Sequence, residues 1–194
     1  PDGFGGLLSP QQAASAMAAG WRAGAPHDEV VLAPLADGGP GFVDTLHASL
    51  GGRLVSLVVP GPWREDAPAA VLVVGGTAYV ESAHATGLAL VAAERRDPTR
   101  TSSVGVGGLL RAARATGARR IVVGLGGSAT VDGGAGMLAG LGLPDETGLL
   151  VGGGGGLERL TADHLAGLAD LRAQWSDIEI VAACDVDVPL LGLQ

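Results

Sequence analysis

Apolar positions along this chain fall into two patterns, helical stripes and continuous runs, and the two alternate. Ala13, Met17 and Trp21, four apart in "SPQQAASAMAAGWRAG", form the stripe of an amphipathic helix. Ser9 is its N-cap, Pro10 takes the first helical position, Gln12 completes a capping box, and Gly20 or Gly24 stops it. "DEVVLAPLADGG" then reads as a buried strand running into a turn. Pro40 opens a second helix with Phe42, Leu46 and Leu50 on one face. "RLVSLVVPGPW", "AAVLVVGG" and "TAYVESA" predict strands, the last two joined by the tight turn Gly75-Gly76. "SSVGVGGLLRAARATGARR" predicts a helix entered through a glycine-rich turn, and "RIVVGLGG" a buried strand. "LLVGGGGGLERL" reads as a mobile connection, Thr161 caps "ADHLAGLADLRAQW", and "IEIVAACDVDVPLLG" is a last buried strand with an acidic end.

Continuous apolar strands separated by helices indicate parallel βαβ units and an α/β fold. The hairpin near residue 75 breaks the alternation, so the first region is of mixed type. No internal repeat is visible.

Composition narrows the function classes. An apolar content of 47% with mean hydropathy +0.36 places the chain among folded proteins. No apolar run is long enough for a membrane span, and no signal peptide is visible. The lone Cys184 excludes an internal disulfide and fits a reducing cytoplasm. A net charge of −8 and an aromatic content of 3% argue against nucleic acid and anionic membranes as partners. All the basic side chains are arginines, and without a lysine the chain is not a Walker-A enzyme.

In open α/β sheets ligands sit beyond the carboxyl ends of strands, and three predicted strands end in polar turns. These are Asp37-Gly38-Gly39, the loop Gly126–Gly134, and Asp185-Val186-Asp187. Gly126, Gly127, Ser128, Thr130 and Gly133 offer backbone amides and hydroxyls to a phosphate, helped by the next helix's N-terminus. Asp132 binds Mg²⁺ through water or takes a hydroxyl proton. Asp185 and Asp187, alternate on an extended segment, point the same way and suit a hard cation. Each has a plainer reading: Asp37 as a turn former, Asp185 or Asp187 as a cap. Glu81, inside a strand, is either outward-facing or functional. Histidines 27, 47, 84 and 164 lack metal spacing. Gly124, Gly126 and Ala129 also match the dinucleotide pattern G-x-G-x-x-A, but the carboxylate at the right distance, Asp145, follows no obvious strand.

Six ordered stretches resemble the type I (bacterial) glycerate kinases: "PDGFGGLLSPQQAASAMAAGW", "PLADGGPGFVDTL", "AYVESAHATGLALV", "DPTRTSSVGVGGLL", "GLGGSATVDGGAGML" and "ACDVDVPLLG". The resemblance implies two α/β domains around a cleft, one flavodoxin-like with a parallel sheet. Residues 1–85 are then a mixed domain completed by later residues, and 86–194 the flavodoxin-like domain with the glycine-rich loop. It implies a cytoplasmic kinase transferring phosphoryl from ATP, with Mg²⁺, to a hydroxyl of glycerate or a similar small acid. In that frame Asp37 and Asp132 are catalytic, and Asp185 and Asp187 hold the metal. Glu81, Ser103, Gly126, Gly127, Ser128, Thr130 and Gly133 bind substrate or phosphate. The chain departs from the family pattern at several points. Asp2-Gly3-Phe4-Gly5-Gly6-Leu7 replaces Asp-Ser-Phe-Lys-Gly-Ser, Pro40 and Phe42 replace Glu and Thr, Gly108 replaces Glu, and Val131 and Val188 replace Asn. Two alternatives follow: a relative that binds ligand without transfer, and a dinucleotide-dependent oxidoreductase.

Overall fold

The computed structural model describes residues 1–187; Val188 and the end of "DVDVPLLG" lie outside the described residues. Helix α1 (Pro10–Gly24) starts at the Ser9 capping box, with both reciprocal bonds present, and α2 spans Phe42–Leu50. Strands β1 (Arg53–Pro60), β2 (Asp66–Val74) and β3 (Thr77–Glu81) form an antiparallel meander. Its second turn is tight because Gly75 and Gly76 both hold positive φ, 53° and 84°, as a type I′ hairpin requires. One turn of helix, α3 (Ala83–Thr86), and helix α4 (Val104–Ala115) carry the chain to β4 (Arg120–Gly124), parallel to β3. Helices α5 (Ala135–Leu141) and α6 (Leu168–Gln174) lead to β5 (Glu179–Ala183), parallel to β4. One mixed sheet results, in the order β1-β2-β3-β4-β5. It is antiparallel in its first half and parallel in its second, and it draws strands from both sides of residue 85.

Side-chain alternation along the central strands decides which helix covers which face. Val71, Ala78, Val80, Ile121 and Val123 point toward α4 and pack on Val106, Leu109 and Leu110. Leu72, Tyr79 and Val122 point to the other face, under Phe42 and Val43 of α2. Burying each of the Val, Leu and Ile side chains among these fully contributes about 1.5–3 kcal/mol, so the sheet centre contributes strongly to stability. α5 lies directly on α4, where the backbones of Gly107 and Gly140 meet. Ala135, Leu143, Leu150 and Leu171 form a smaller cluster beneath it.

Four expectations change in the structure. Residues 28–36 carry no ladder; among the described residues their backbone bonds outward are Asp28 N–H to the Ala25 carbonyl, 3.2 Å, and Leu35 N–H to the Pro1 carbonyl, 3.0 Å. An apolar run supplies the faces of a strand but not its partner. On α1 the buried line is Ala13, Ala14 and Ala18, while Met17 and Trp21 are more than half exposed. A four-residue step drifts about 40° per turn around a 3.6-residue helix, which carries Trp21 off the contact made by Ala13. Among the described residues β5 is the edge of the sheet, and Ile180 is half exposed. The connection after α5 is packed, not loose: Gly155 N–H donates to the Thr99 carbonyl at 2.7 Å, and a short 3₁₀ turn covers Gly154–Arg159. Thr161 forms its capping box over a 3₁₀ turn, ahead of α6. Among the described residues no helix is long and apolar enough to cross a membrane.

Candidate functional site

The register of the parallel strands sets Glu81, Gly124 and Ala183 side by side, so β3, β4 and β5 end at one level. The Asp37-Gly38-Gly39 turn lies against this level. Leu125 N–H donates to the Ala183 carbonyl at 2.9 Å, and Gly38 sits over that same carbonyl. A Cβ on Gly38 would collide with it, and φ of 100° already excludes most side chains. On Gly126 a Cβ would come within 2.6 Å of the Gly39 Cα. These turns therefore touch backbone to backbone, which only glycine permits. Asp37 is exposed there, with Oδ1 accepting the Gly39 amide at 2.7 Å. Asp185 and Asp187 follow β5 directly and are exposed.

Two buried carboxylates beneath this surface are fully engaged. Glu81, 4% exposed, accepts the Gly41 amide at 3.1 Å and the Val43 amide at 3.2 Å. It thereby caps α2, whose own N-cap, Gly41, has no side chain to do so. His84 Nε2 stands 3.9 Å away. Asp132, 2% exposed, accepts four bonds. Oδ2 takes the Ser103 amide (2.7 Å), the Ser103 hydroxyl (2.9 Å) and the Gly136 amide (3.3 Å); Oδ1 takes the Gly134 amide (3.1 Å). Ser103 Oγ in turn accepts the Met137 amide at 2.9 Å. The N-terminus of α5, expected to help a phosphate, is thus already satisfied by Asp132 and Ser103. Both helices meet their dipole and unpaired amides with a carboxylate from elsewhere in the fold.

The loop above them is differently placed. Among the described residues, the amides of Gly126, Gly127, Ser128 and Gly133 donate to no protein acceptor. Ser128 is exposed, its hydroxyl 3.3 Å from the Thr130 carbonyl. Backbone and hydroxyl bonds tie the loop to its neighbours. Leu88 N–H donates to Gly127 O (2.8 Å), Ala129 N–H to Thr86 O (2.7 Å), and Thr130 Oγ1 to Thr101 O (2.6 Å). Thr101 Oγ1 also donates to Ala129 O at 2.6 Å. Thr101, fully buried, escaped the sequence reading. Its signal was the hydroxyl run "TRTSS" ahead of an apolar helix.

The family departures have local consequences. Phe42 joins the core 6.4 Å from the Tyr79 ring, Gly108 sits close against Val59, where a Cβ would come within 3.3 Å of its side chain, and Val131 is 59% exposed on the loop. Asp2 and Gly5 lie in an exposed turn, where Asp2 Oδ1 accepts the Gly3 amide. Asp145 accepts the Val151 amide at 3.1 Å inside its own loop, away from the place a ribose-binding carboxylate takes at a strand end. Among the described residues no three His, Cys, Asp or Glu side chains cluster as metal ligands.

The model of the glycerate kinase family matches residues 1–194. A glycerate kinase of Bacillus subtilis (strain 168) is 42% identical over 99% of this chain and 51% of its own length. A glycerate 2-kinase of Escherichia coli (strain K12) is 43% identical, with the same coverage. A crystal structure from Salmonella typhimurium LT2, assigned only provisionally as glycerate kinase 2, superposes with a TM-score of 0.77. It is 40% identical, over 99% of this chain and 53% of that one. The chain spans about half the length of the curated relatives it matches.

Proposed function

The chain belongs to the glycerate kinase family, and from that premise we propose that the whole protein transfers a phosphoryl group from ATP to a hydroxyl of glycerate or a similar small hydroxy acid. The observation that carries this reading is the set of free amides at Gly126, Gly127, Ser128 and Gly133, presented at the common end of β3, β4 and β5. Unpaired amides on a rigid glycine loop form an anion cradle without any lysine.

The cradle and the Ser128 hydroxyl hold a phosphate or the carboxylate of the acid, and Thr130 fixes the loop through its bond to Thr101. Asp37, exposed and with Oδ2 uncommitted, orients the attacking hydroxyl. Asp132, Ser103 and Glu81 act as positioning residues, because their polar atoms are spent on the backbone that carries the site. Asp185 and Asp187 fit Mg²⁺, which takes one or two carboxylates and completes its shell with water and phosphate oxygens. When bound, the metal neutralises charge on the transferring group. The cytoplasm is the proposed location. Phosphoryl transfer depends on positioning and charge neutralisation more than on covalent chemistry; in this reading the loop amides position the anion and a metal held by Asp185 and Asp187 would neutralise its charge.

A coupled assay of ADP release, run on the full-length protein across several hydroxy acids, tests the reading. Turnover with glycerate supports it. Binding of ATP or acid in calorimetry without turnover points instead to a non-catalytic relative, the reading favoured by Gly5 and Val131 in place of the family's Lys and Asn. Enhanced NAD(P)H fluorescence would replace both with an oxidoreductase.

A further inference from the structure

Three of the arginines line one cavity with a tryptophan, outside the site described above. Trp63 sits in the turn between β1 and β2, closed by Gly61 N–H to Glu65 O at 2.7 Å. The Arg95 and Arg100 guanidinium carbons lie 5.2 and 5.0 Å from its ring centroid. Arg96 joins them in lining an open cavity of about 410 Å³, together with Glu94 and Asp97. Arg64 holds the turn to the far side by donating to the Val151 carbonyl at 2.8 Å, from the one non-glycine residue with positive φ among those described.

Charge in this cavity is not balanced internally. Among the described residues, no carboxylate forms an ion pair with Arg95, Arg96 or Arg100. Asp97 Oδ1 is taken by the Thr99 amide at 3.1 Å and the Thr99 hydroxyl at 2.6 Å. Three guanidiniums therefore face two carboxylates; Asp97 is engaged locally, and Arg96 commits its Nε–H to the Val91 carbonyl at 3.4 Å, leaving its two terminal nitrogens free for a ligand. The Trp63 Nε1–H is buried and has no acceptor. Guanidiniums seated against an indole lose rotamer freedom before any ligand arrives, and their planar forks match tetrahedral oxyanions in two-point contacts.

We propose that Trp63, Arg95, Arg96 and Arg100 form a second oxyanion site, which takes the phosphoryl group of a nucleotide or of a free phosphate. It is separate from the glycine-rich loop, no residue of which lines the cavity. The two are neighbours: Val131 N–H donates to Pro98 O at 3.4 Å, and Thr101 follows Arg100 and holds Thr130. A phosphoryl group fits better than a monocarboxylate, because it brings more charge and more acceptor oxygens to three forked donors in competition with Glu94. The proposal concerns binding and stands apart from whether the protein turns over.

Calorimetry on the full-length protein, with sodium pyrophosphate as the probe, tests it. The double variant Arg95→Gln/Arg100→Gln keeps side-chain bulk and removes charge. It should lose at least tenfold in affinity while its circular dichroism and melting point stay native. Ser128→Ala, which alters the loop, should keep this affinity within threefold, and binding should change Trp63 fluorescence in the native protein but not in Trp63→Phe. Competition by ADP for the arginine-dependent binding assigns the site to nucleotide phosphate; ADP that fails to compete assigns it to free phosphate or a phosphomonoester. No saturable binding, an unaltered affinity in the arginine variant, or a loss that follows Ser128→Ala overturns the proposal.

Discussion

Truncating Asp132 separates a positioning carboxylate from a chemical one. Asp132→Ala removes four accepted hydrogen bonds at once, from the Ser103 amide and hydroxyl and from the Gly134 and Gly136 amides. The Ser103 hydroxyl rotates to another acceptor, but three amides are left behind, and the site is 2% exposed. At about 1–3 kcal/mol for each buried donor without a partner, offset in part by relaxation, the loss is roughly 3–6 kcal/mol. Asp132→Asn keeps its oxygen toward the three donors on the Oδ2 side and turns its amide against Gly134 N–H, so the loss falls to about 1–3 kcal/mol. Asp37→Ala removes one exposed bond, to Gly39, and costs less than about 1 kcal/mol. Thermal melts of the three variants, read beside kcat, decide the matter. The reasoning requires Asp132→Ala to melt early and Asp37→Ala to melt like the native protein while losing turnover. A native Tm for Asp132→Ala with kcat abolished would refute it, and would return Asp132 to the chemistry.

Three further outcomes follow from the geometry. Glu81→Gln removes the charge that caps α2 and sets an amide against the Gly41 and Val43 donors; a loss of about 1–3 kcal/mol is expected in denaturant unfolding. Gly38→Ala drives a Cβ into the Ala183 carbonyl, whereas Gly75→Ala, at φ 53°, meets nothing within 4 Å. Urea titration should therefore show about 1–2 kcal/mol lost at Gly75 and clearly more at Gly38. Ser9→Ala breaks the capping box of α1 and should cost about 1 kcal/mol, visible as reduced helical ellipticity on heating.

Much of the order of elements was legible because local rules govern it. The capping box at Ser9, the Gly75-Gly76 hairpin, and the apolar runs of β2, β3 and β4 are each set by residues close in sequence. The gathering of polar groups at strand ends was legible as well, since it rests on a general property of parallel sheets. Partners distant in sequence were not. "EVVLAPLAD" has the pattern of a strand, yet no neighbour pairs with it among the described residues. Pattern fixes the faces of an element and says nothing of what meets them. Only the tertiary structure decided which donors meet the buried acids. In a linear reading Asp132 is a reacting group and Glu81 a substrate-binding one; in the fold Glu81 lies within reach of amides 38 to 40 residues away and Asp132 of amides 2 to 29 residues away. Those donors come together when β3 meets α2 and the glycine-rich loop meets α4. The same holds for Trp63, whose arginine neighbours come from a segment more than thirty residues along the chain.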